Sequence, residues 1–575
     1  KAGEVFATDV KVLDVATKKL LKSVSVRGEG VQSIINSQID ELSKAIARGV
    51  GLSERRVAAS ATQIASVTTS SMEAYNAFLR GREQYEKGYW MDALPSLQQA
   101  VSLDSTFAMA YLYLGRSFAF RSNTRAANEC YRKAKAYAAN ASEKERLYID
   151  ASYASVIDRN PGKRIEILKI MEQRYPKEKQ VYADLGRYYV GQGMRKEALD
   201  VYSKALALDP HYGTVLNLMA YAYANAGDYR MAIEYLGRYA AESPGEPDPL
   251  DGMGDMYFSM GDLEAAAAKY KEAIAIRPEF FSSYKIAYIC GLQEDYPAAV
   301  GWVDYFLKHS PPAISMGGGR AWKSGYYWMM GERRQAGLLL DEAQRVWGSM
   351  ENRYFVALLD SFRAWQLLER GQPDLGLKLQ EQSAAVLVEV NPSEKANFVA
   401  DLELYRGLVA LQKGEVGIAR KQVAAMETQM PHVSPMYEKQ ARYEYTLFHG
   451  EVLLAEGKAD SAISVARQAF ASRPQNWGGA SMAGYSMLAF YSLVRDVVAR
   501  AYIRTGRIPE AIAEYERLTT FDARKEDRRF ISPEYHYSLA KLYEQTGQKE
   551  KAIGKYEHFL RIWKNADADI PELKD

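Results

Sequence analysis

The stretch "GRYYVGQGMRKEALDVYSKALALDP", Gly186 to Pro210, is followed in the same register by "AYAYANAGDYRMAIEYLGRYAAESP", Ala220 to Pro244, and by "GDMYFSMGDLEAAAAKYKEAIAIRP", Gly254 to Pro278. Gly193, Gly227 and Gly261 stand 34 residues apart, and with them move Tyr189, Tyr223 and Tyr257; Ala198, Ala232 and Ala266; and Tyr202, Leu236 and Tyr270. Each column has a mechanical meaning. The small residues (Gly186, Ala220 and Gly254 in one helix, the alanines in the next) let paired helices approach closely. The large residue four positions before each glycine fills the wedge between hairpins. The glycine ends the first helix, and the proline stops the second. A hairpin of this size cannot bury its own apolar face, so the repeat demands a stack.

Thirty-four residues is the tetratricopeptide period. The template reaches upstream to "SSMEAYNAFLRGREQYEKGYWMDALPSLQQAVSLD", Ser70 to Asp104, and through Gly115, Ala127 and Tyr131; between Ser142 and Pro176 its signature is worn down. Downstream a glycine is followed five residues later by a small residue at Gly331 and Ala336, Gly371 and Gly376, Gly414 and Ala419, Gly457 and Ala462, Gly506 and Ala511, and Gly547 and Ala552. About thirteen units result, with irregular joints at Pro311–Gly319, Asn391–Ser393, Asn476–Gly484 and Phe521–Ser532. The predicted fold is an all-α tetratricopeptide solenoid, a right-handed superhelix in which each hairpin touches mainly its neighbours and a long concave groove is the functional surface.

Composition points to no particular chemistry. Charged residues are 25% of the chain and the formal net charge is +2, which favours neither nucleic acid nor a membrane surface. Cys130 and Cys290 read as structural thiols rather than a disulfide or zinc pair. No apolar run is long enough to span a membrane and no signal peptide opens the chain, so the reading is of a soluble protein on either the cytoplasmic or the periplasmic side. Tyrosine, with 41 copies, suits wedges between helices and aromatic contacts in a groove.

The amino-terminal piece differs. Val5 to Val26 alternate about "ATKK" as a β-hairpin, and Val31 to Val50 follow with a helical period. Lys1 opens the chain almost directly in strand, as though sequence before it were missing. The order "TDVKVLDVATKKLL", "IDELSKAIARGVGLS", a polar linker, "VTTSSMEAYNAFLRGREQYEKG" and "FAMAYLYLG" resembles a group of bacterial tetratricopeptide signalling proteins. In that group a TolB-like α/β domain precedes the repeats, and a kinase, winged-helix regulator or nucleotide cyclase lies further upstream. The terminal "FLRIWKNADADIPELKD" is similar to the end of the same array. The resemblance implies an interaction or sensor region and carries over no catalytic residue. The predicted organisation is residues 1–52 as the tail of a TolB-like domain, 53–70 as linker, 71–310 as an amino-terminal array and 311–575 as a degenerate carboxy-terminal array.

Candidate chemistry is sparse. "GGGRAWKSG", Gly317 to Gly325, places Trp322 where a phosphate loop needs glycine before its lysine, and no strand feeds it, so it reads as a flexible joint between repeats. The histidines (His211, His309, His432, His449, His536 and His558) show no pair at helical ligand spacing, and no metal or cofactor is expected. Asp567 and Asp569 lack the rest of a calcium loop, and "DARKEDRR" is of mixed sign; both read as solvated surface. What remains is the groove. First-helix positions there predict partner contacts from Asn217, Tyr221, Asp251, Asp255, Phe258, Tyr284, Tyr288 and Trp328. Asp248, Asp251 and Asp255 repel one another unless a cation covers them, so the expected partner is a protein or peptide segment pairing a basic group with an apolar one. The reading is of a non-enzymatic scaffold that binds protein and not nucleic acid. A sensor arm of a larger signalling protein is the alternative. Any membrane association would come through a missing amino-terminal part or through a partner.

Overall fold

The computed structural model describes residues 5–13, 20–30, 33–49, 69, 71–120, 124–310, 312–349, 352–434, 437–471, 495–524 and 530–575. Among them are 27 α-helices and one two-stranded antiparallel sheet. The chain is a solenoid of helical hairpins with a small amino-terminal α/β piece. It forms two compact units, Lys1–Ala226 and Gly227–Asp575, so the division expected at residue 310 falls inside the second. No described helix is long and apolar enough to cross a membrane.

In the first unit β1 (Val5–Leu13) pairs with β2 (Leu20–Glu29), Val10 opposite Val24. The expected turn at "ATKK" and nearly all of the 53–70 linker lie outside the described residues. β1 alternates exposed and half-buried positions and buries none fully, as befits a sheet too small to make a core. Gln38 ties it to the following helix, Ile39–Gly49: its amide nitrogen donates to the Phe6 carbonyl (3.0 Å) and its oxygen accepts from Thr8 Oγ1 (2.7 Å). Hairpins follow at Met72–Glu86 with Trp90–Leu103, Ala108–Phe120 with Thr124–Ala136, Glu143–Val156 with Pro161–Arg174, and Lys179–Gly191 with Arg195–Leu208, before helix Gly213–Ala224.

The turn between paired helices needs a left-handed residue. Gly261 takes it at φ 82°, its N–H donating to the Phe258 carbonyl while that of Asp262 reaches back to Tyr257. Two non-glycine residues stand at positive φ among the described residues, Arg159 (51°) and Glu294 (60°). Arg159 explains the worn signature of the third hairpin, whose helices start instead from a capping box at Ser142 and from Asn160 ahead of Pro161. Close approach is equally concrete. A Cβ on Gly186 would lie 2.1 Å from the Tyr202 ring, and one on Gly254 2.3 Å from Tyr270, so the second helix's tyrosine occupies the glycine's missing side chain.

The second unit departs from the sequence reading twice. The "GGGRAWKSG" segment is no joint: it lies within the continuous helix Pro312–Met329. Its glycines are contact positions, a Cβ on Gly317 falling 2.6 Å from Trp347 and one on Gly319 2.5 Å from Leu307. Lys323 is paired with Asp304 (2.7 Å). Secondly, the hairpins do not meet only their neighbours. Trp563 Nε1 donates to the Met329 carbonyl (3.0 Å), Asp567 N–H to Gly331 (3.1 Å), and Tyr296 OH to the Ile531 carbonyl (3.2 Å), so the last hairpin and the segments flanking it return onto the hairpins near residues 282–334.

Candidate partner-binding site

Two of the eight residues expected to bind a partner, Asn217 and Tyr221, sit half-buried on helix Gly213–Ala224 of the first unit. The other six belong to the second unit, and there the expected exposed surface is covered. Asp251 and Asp255, on helix Asp248–Met260, are 3% and 2% exposed. The cation they require is Lys285, from helix Ser282–Leu292, whose Nζ donates to Asp251 Oδ2 and Asp255 Oδ1 at 2.6 Å each. Ser282 Oγ (2.6 Å to Asp251) and Tyr270 OH (2.8 Å to Asp255) complete the network. Burial works against the Lys285 ammonium, but the two carboxylates outweigh it and raise its pKa. Burial also raises Asp251 in spite of Lys285, and pushes Asp248 up to about 7 with help from the Asp251 charge. Lys285 follows Asp251 by 34 residues, so the repeat period itself holds the signal that would have paired them.

The apolar group is also internal. Phe530, 2% exposed, stands 5.0 Å from the Tyr288 ring, 5.8 Å from Tyr326 and 6.3 Å from Tyr296. Its carbonyl accepts from Arg495 (3.1 Å). Tyr288 is 1% exposed and Phe258 3%, their rings 6.0 Å apart. Tyr284 packs on Phe306 (4.2 Å) and Trp322. Trp328 donates from Nε1 to Glu369 (2.7 Å) and lies under the Arg333 guanidinium. Basic-plus-apolar chemistry is what these residues accept, and the chain supplies both groups.

Glu294, His536 and His558 bring three possible metal-ligand atoms within 4.8 Å of one another, a constellation invisible in sequence because its members lie 242 and 264 residues apart. The surroundings favour a hydrogen-bonded clasp over a metal. A ligating histidine donates its second ring N–H to an acceptor, whereas here the Nδ1 atoms face donors: Arg561 at 2.7 Å on His558 and Lys555 at 3.4 Å on His536. Each Nε2–H is thereby directed at Glu294, at 2.8 and 3.0 Å. Burial opposes the Glu294 charge, but these two bonds win and hold its pKa down at about 2. Glu294 occupies the turn position that is Gly261 one repeat earlier, with the same two backbone bonds around it. The left-handed backbone is tolerated because the side chain fastens the returning hairpin.

The first unit carries a cavity on its first helices. A cavity of about 330 Å³ is lined by the first helices of four successive hairpins, Arg82 and Glu86 from one, Tyr113 and Arg116 from the next, Lys144 and Tyr148 from the third, Glu178 and Lys179 at the fourth, with Tyr212 beyond. Most charges there are matched: Arg82 with Glu86 (3.5 Å), Lys144 with Glu178 (2.7 Å), and Lys179 with Asp209. Burial raises the pKa of Glu86 although Arg82 and Lys179 oppose it. The second unit has its own cavity, about 510 Å³, in which Arg500 is engaged by Glu451 and Asp496, and burial and Glu534 raise Glu369 to about 8.

Residues 189–253 and 498–567 match families described as tetratricopeptide repeat, and residues 254–285 one described as TPR repeat. Helical hairpins, period and these matches mark residues 189–285 and 498–567 as tetratricopeptide repeats. Over 90 residues the chain is 29% identical to BBSome complex member BBS4 of Bos taurus, a similarity spanning 16% of this chain and 17% of that protein. Similar solved structures include TTC0263, a thermophilic TPR protein in Thermus thermophilus (19% identity, 41% of this chain and 99% of that one, TM-score 0.23). Another is Pseudomonas aeruginosa pilF (20% identity, 36% and 94%, TM-score 0.25).

Proposed function

We propose that this protein is a non-catalytic interaction scaffold that holds a segment of another protein on the concave face of its first unit. One observation carries the reading: in the second unit Asp251, Asp255 and Tyr288 are covered by Lys285 and Phe530, whereas the first helices of four successive hairpins of the first unit line a charged and aromatic cavity. Aromatic rings supply area to such a groove and charges supply register. The signalling-arm alternative rests on the sequence resemblance alone. Site-specific photocrosslinking in the native host tests the proposal. A benzophenone side chain at Gln180, beside the cavity, should capture one discrete partner, and the same group at Ile170, exposed on the neighbouring second helix, should not. Equal capture at both positions would move the binding surface off the groove.

A further inference from the structure

Arg116 is the lining cation of the first unit's cavity that no described carboxylate pairs. Its Nη2 donates to Ser152 Oγ (3.1 Å) and its guanidinium lies 5.3 Å from the centre of the Tyr113 ring, but among the described residues no carboxylate comes within ion-pair distance of it. Asp184, whose charge acts on Arg116, is held by Arg187 (3.1 Å) with Arg164 at 3.9 Å. Tyr148, 8% exposed, lines the same cavity, and its hydroxyl has no hydrogen-bond partner among the described residues. A half-buried guanidinium with no paired carboxylate and a buried hydroxyl without a partner each favour an added acceptor, and one anion serves both.

Taking the groove assignment above as its premise, we propose that the cavity reads an acidic side chain, aspartate or glutamate, within the partner segment, Arg116 supplying the charge and Tyr148 the hydroxyl donor. Charge fixes the class. Arg82, Lys144 and Lys179 are each paired with a carboxylate, so Arg116 is the lining cation left to meet a ligand, and one guanidinium balances a monoanion but leaves half the charge of a phosphate dianion unmatched. Size agrees, since about 330 Å³ lies at the lower end of ligand pockets and takes a side chain or two rather than a cofactor. A chain-terminal carboxylate is the competing monoanion, and the third array below separates it from a side chain.

The test uses the full chain on an array of nonapeptides, acetylated and amidated, random except for a central glutamate, beside the same array with central glutamine and a third with glutamine and a free carboxy-terminus. The glutamate array should be retained about tenfold more strongly than either other. Arg116→Gln should abolish that preference. Tyr148→Phe should lower glutamate binding several-fold while raising the melting temperature of the free protein, since it deletes an unsatisfied hydroxyl; no unfolding artefact produces that combination. Equal retention of glutamine peptides, preference for the free terminus, or a preference that survives both substitutions would overturn the inference. Gln180→Trp, which places an indole at the cavity, separates the two levels. If it abolishes binding to all arrays the groove assignment holds whatever the glutamate preference, and if no array binds, groove and acidic reading fall together.

Discussion

Replacing Lys285 with methionine keeps the unbranched aliphatic stem, one atom shorter, and removes the charge from between two buried carboxylates. Two charge-assisted bonds of 2.6 Å are lost, while the bonds from Ser282 to Asp251 and from Tyr270 to Asp255 stay. Breaking a buried ion pair by removing one partner costs about 3 to 5 kcal/mol. At roughly 2 °C per kcal/mol for a unit of this size, the second unit should melt about 6 to 10 °C lower at pH 7. The deficit should shrink on acidification. A carboxyl with a raised folded pKa keeps protons that the unfolded chain has released, so its contribution to stability falls as pH rises from the ordinary carboxylate range to the raised value and is regained on descending. Asp251, raised by burial, and Asp248, near 7, both act in that direction. Scanning calorimetry between pH 5 and pH 8 measures it. Adding Asp251→Leu and Asp255→Leu to Lys285→Met should recover most of the loss, because a buried ion triad is replaceable by packed apolar groups. A Lys285→Met variant that melts with the parent at pH 7, or whose deficit grows as pH falls, would refute the buried triad.

Glu294→Gly should relieve about 1 kcal/mol of left-handed strain yet lose two bonds to a charged carboxylate worth about 1.5 to 3 kcal/mol each, a net destabilisation visible in urea melts; a more stable variant would remove the clasp's rationale. Phe530→Ala empties an aromatic cage and should cost about 3 to 5 kcal/mol, read by hydrogen exchange as faster opening in peptides carrying Tyr288 and Tyr326; unchanged exchange would show that the returning segment does not hold them. Glu369→Gln should flatten the fall in second-unit stability between its ordinary carboxylate range and about pH 8, where Glu369 now titrates because of burial and Glu534; an unaltered pH profile would assign that slope elsewhere. Gly186→Ala should cost about 1 to 3 kcal/mol, since Tyr202 occupies the space of the new Cβ; a neutral result in the same melts would mean the ring moves freely.

The repeat could be read without coordinates because each of its features acts within one hairpin. A glycine at Gly261 is dictated by the left-handed turn, a glycine at Gly254 by the tyrosine sixteen residues on, and a period of 34 residues by the need to stack. The β-hairpin and its helix were legible for the same reason. Where glycine was absent the local code weakened, and Arg159 and Glu294, holding the same backbone angle, hid their hairpins' turns. The candidate site was legible in its chemistry but not in its ownership. Asp251, Asp255 and Tyr288 do take a cation and an aromatic group, and sequence could not say that Lys285 and Phe530 provide them. The small rotation from each hairpin to the next accumulates over many repeats, and only the sum decides which distant hairpin returns to face which. That sum brings Ile531 to Tyr296, Trp563 to Met329 and two histidines to Glu294. It is set by every inter-hairpin contact in the unit at once, so no window of sequence contains it.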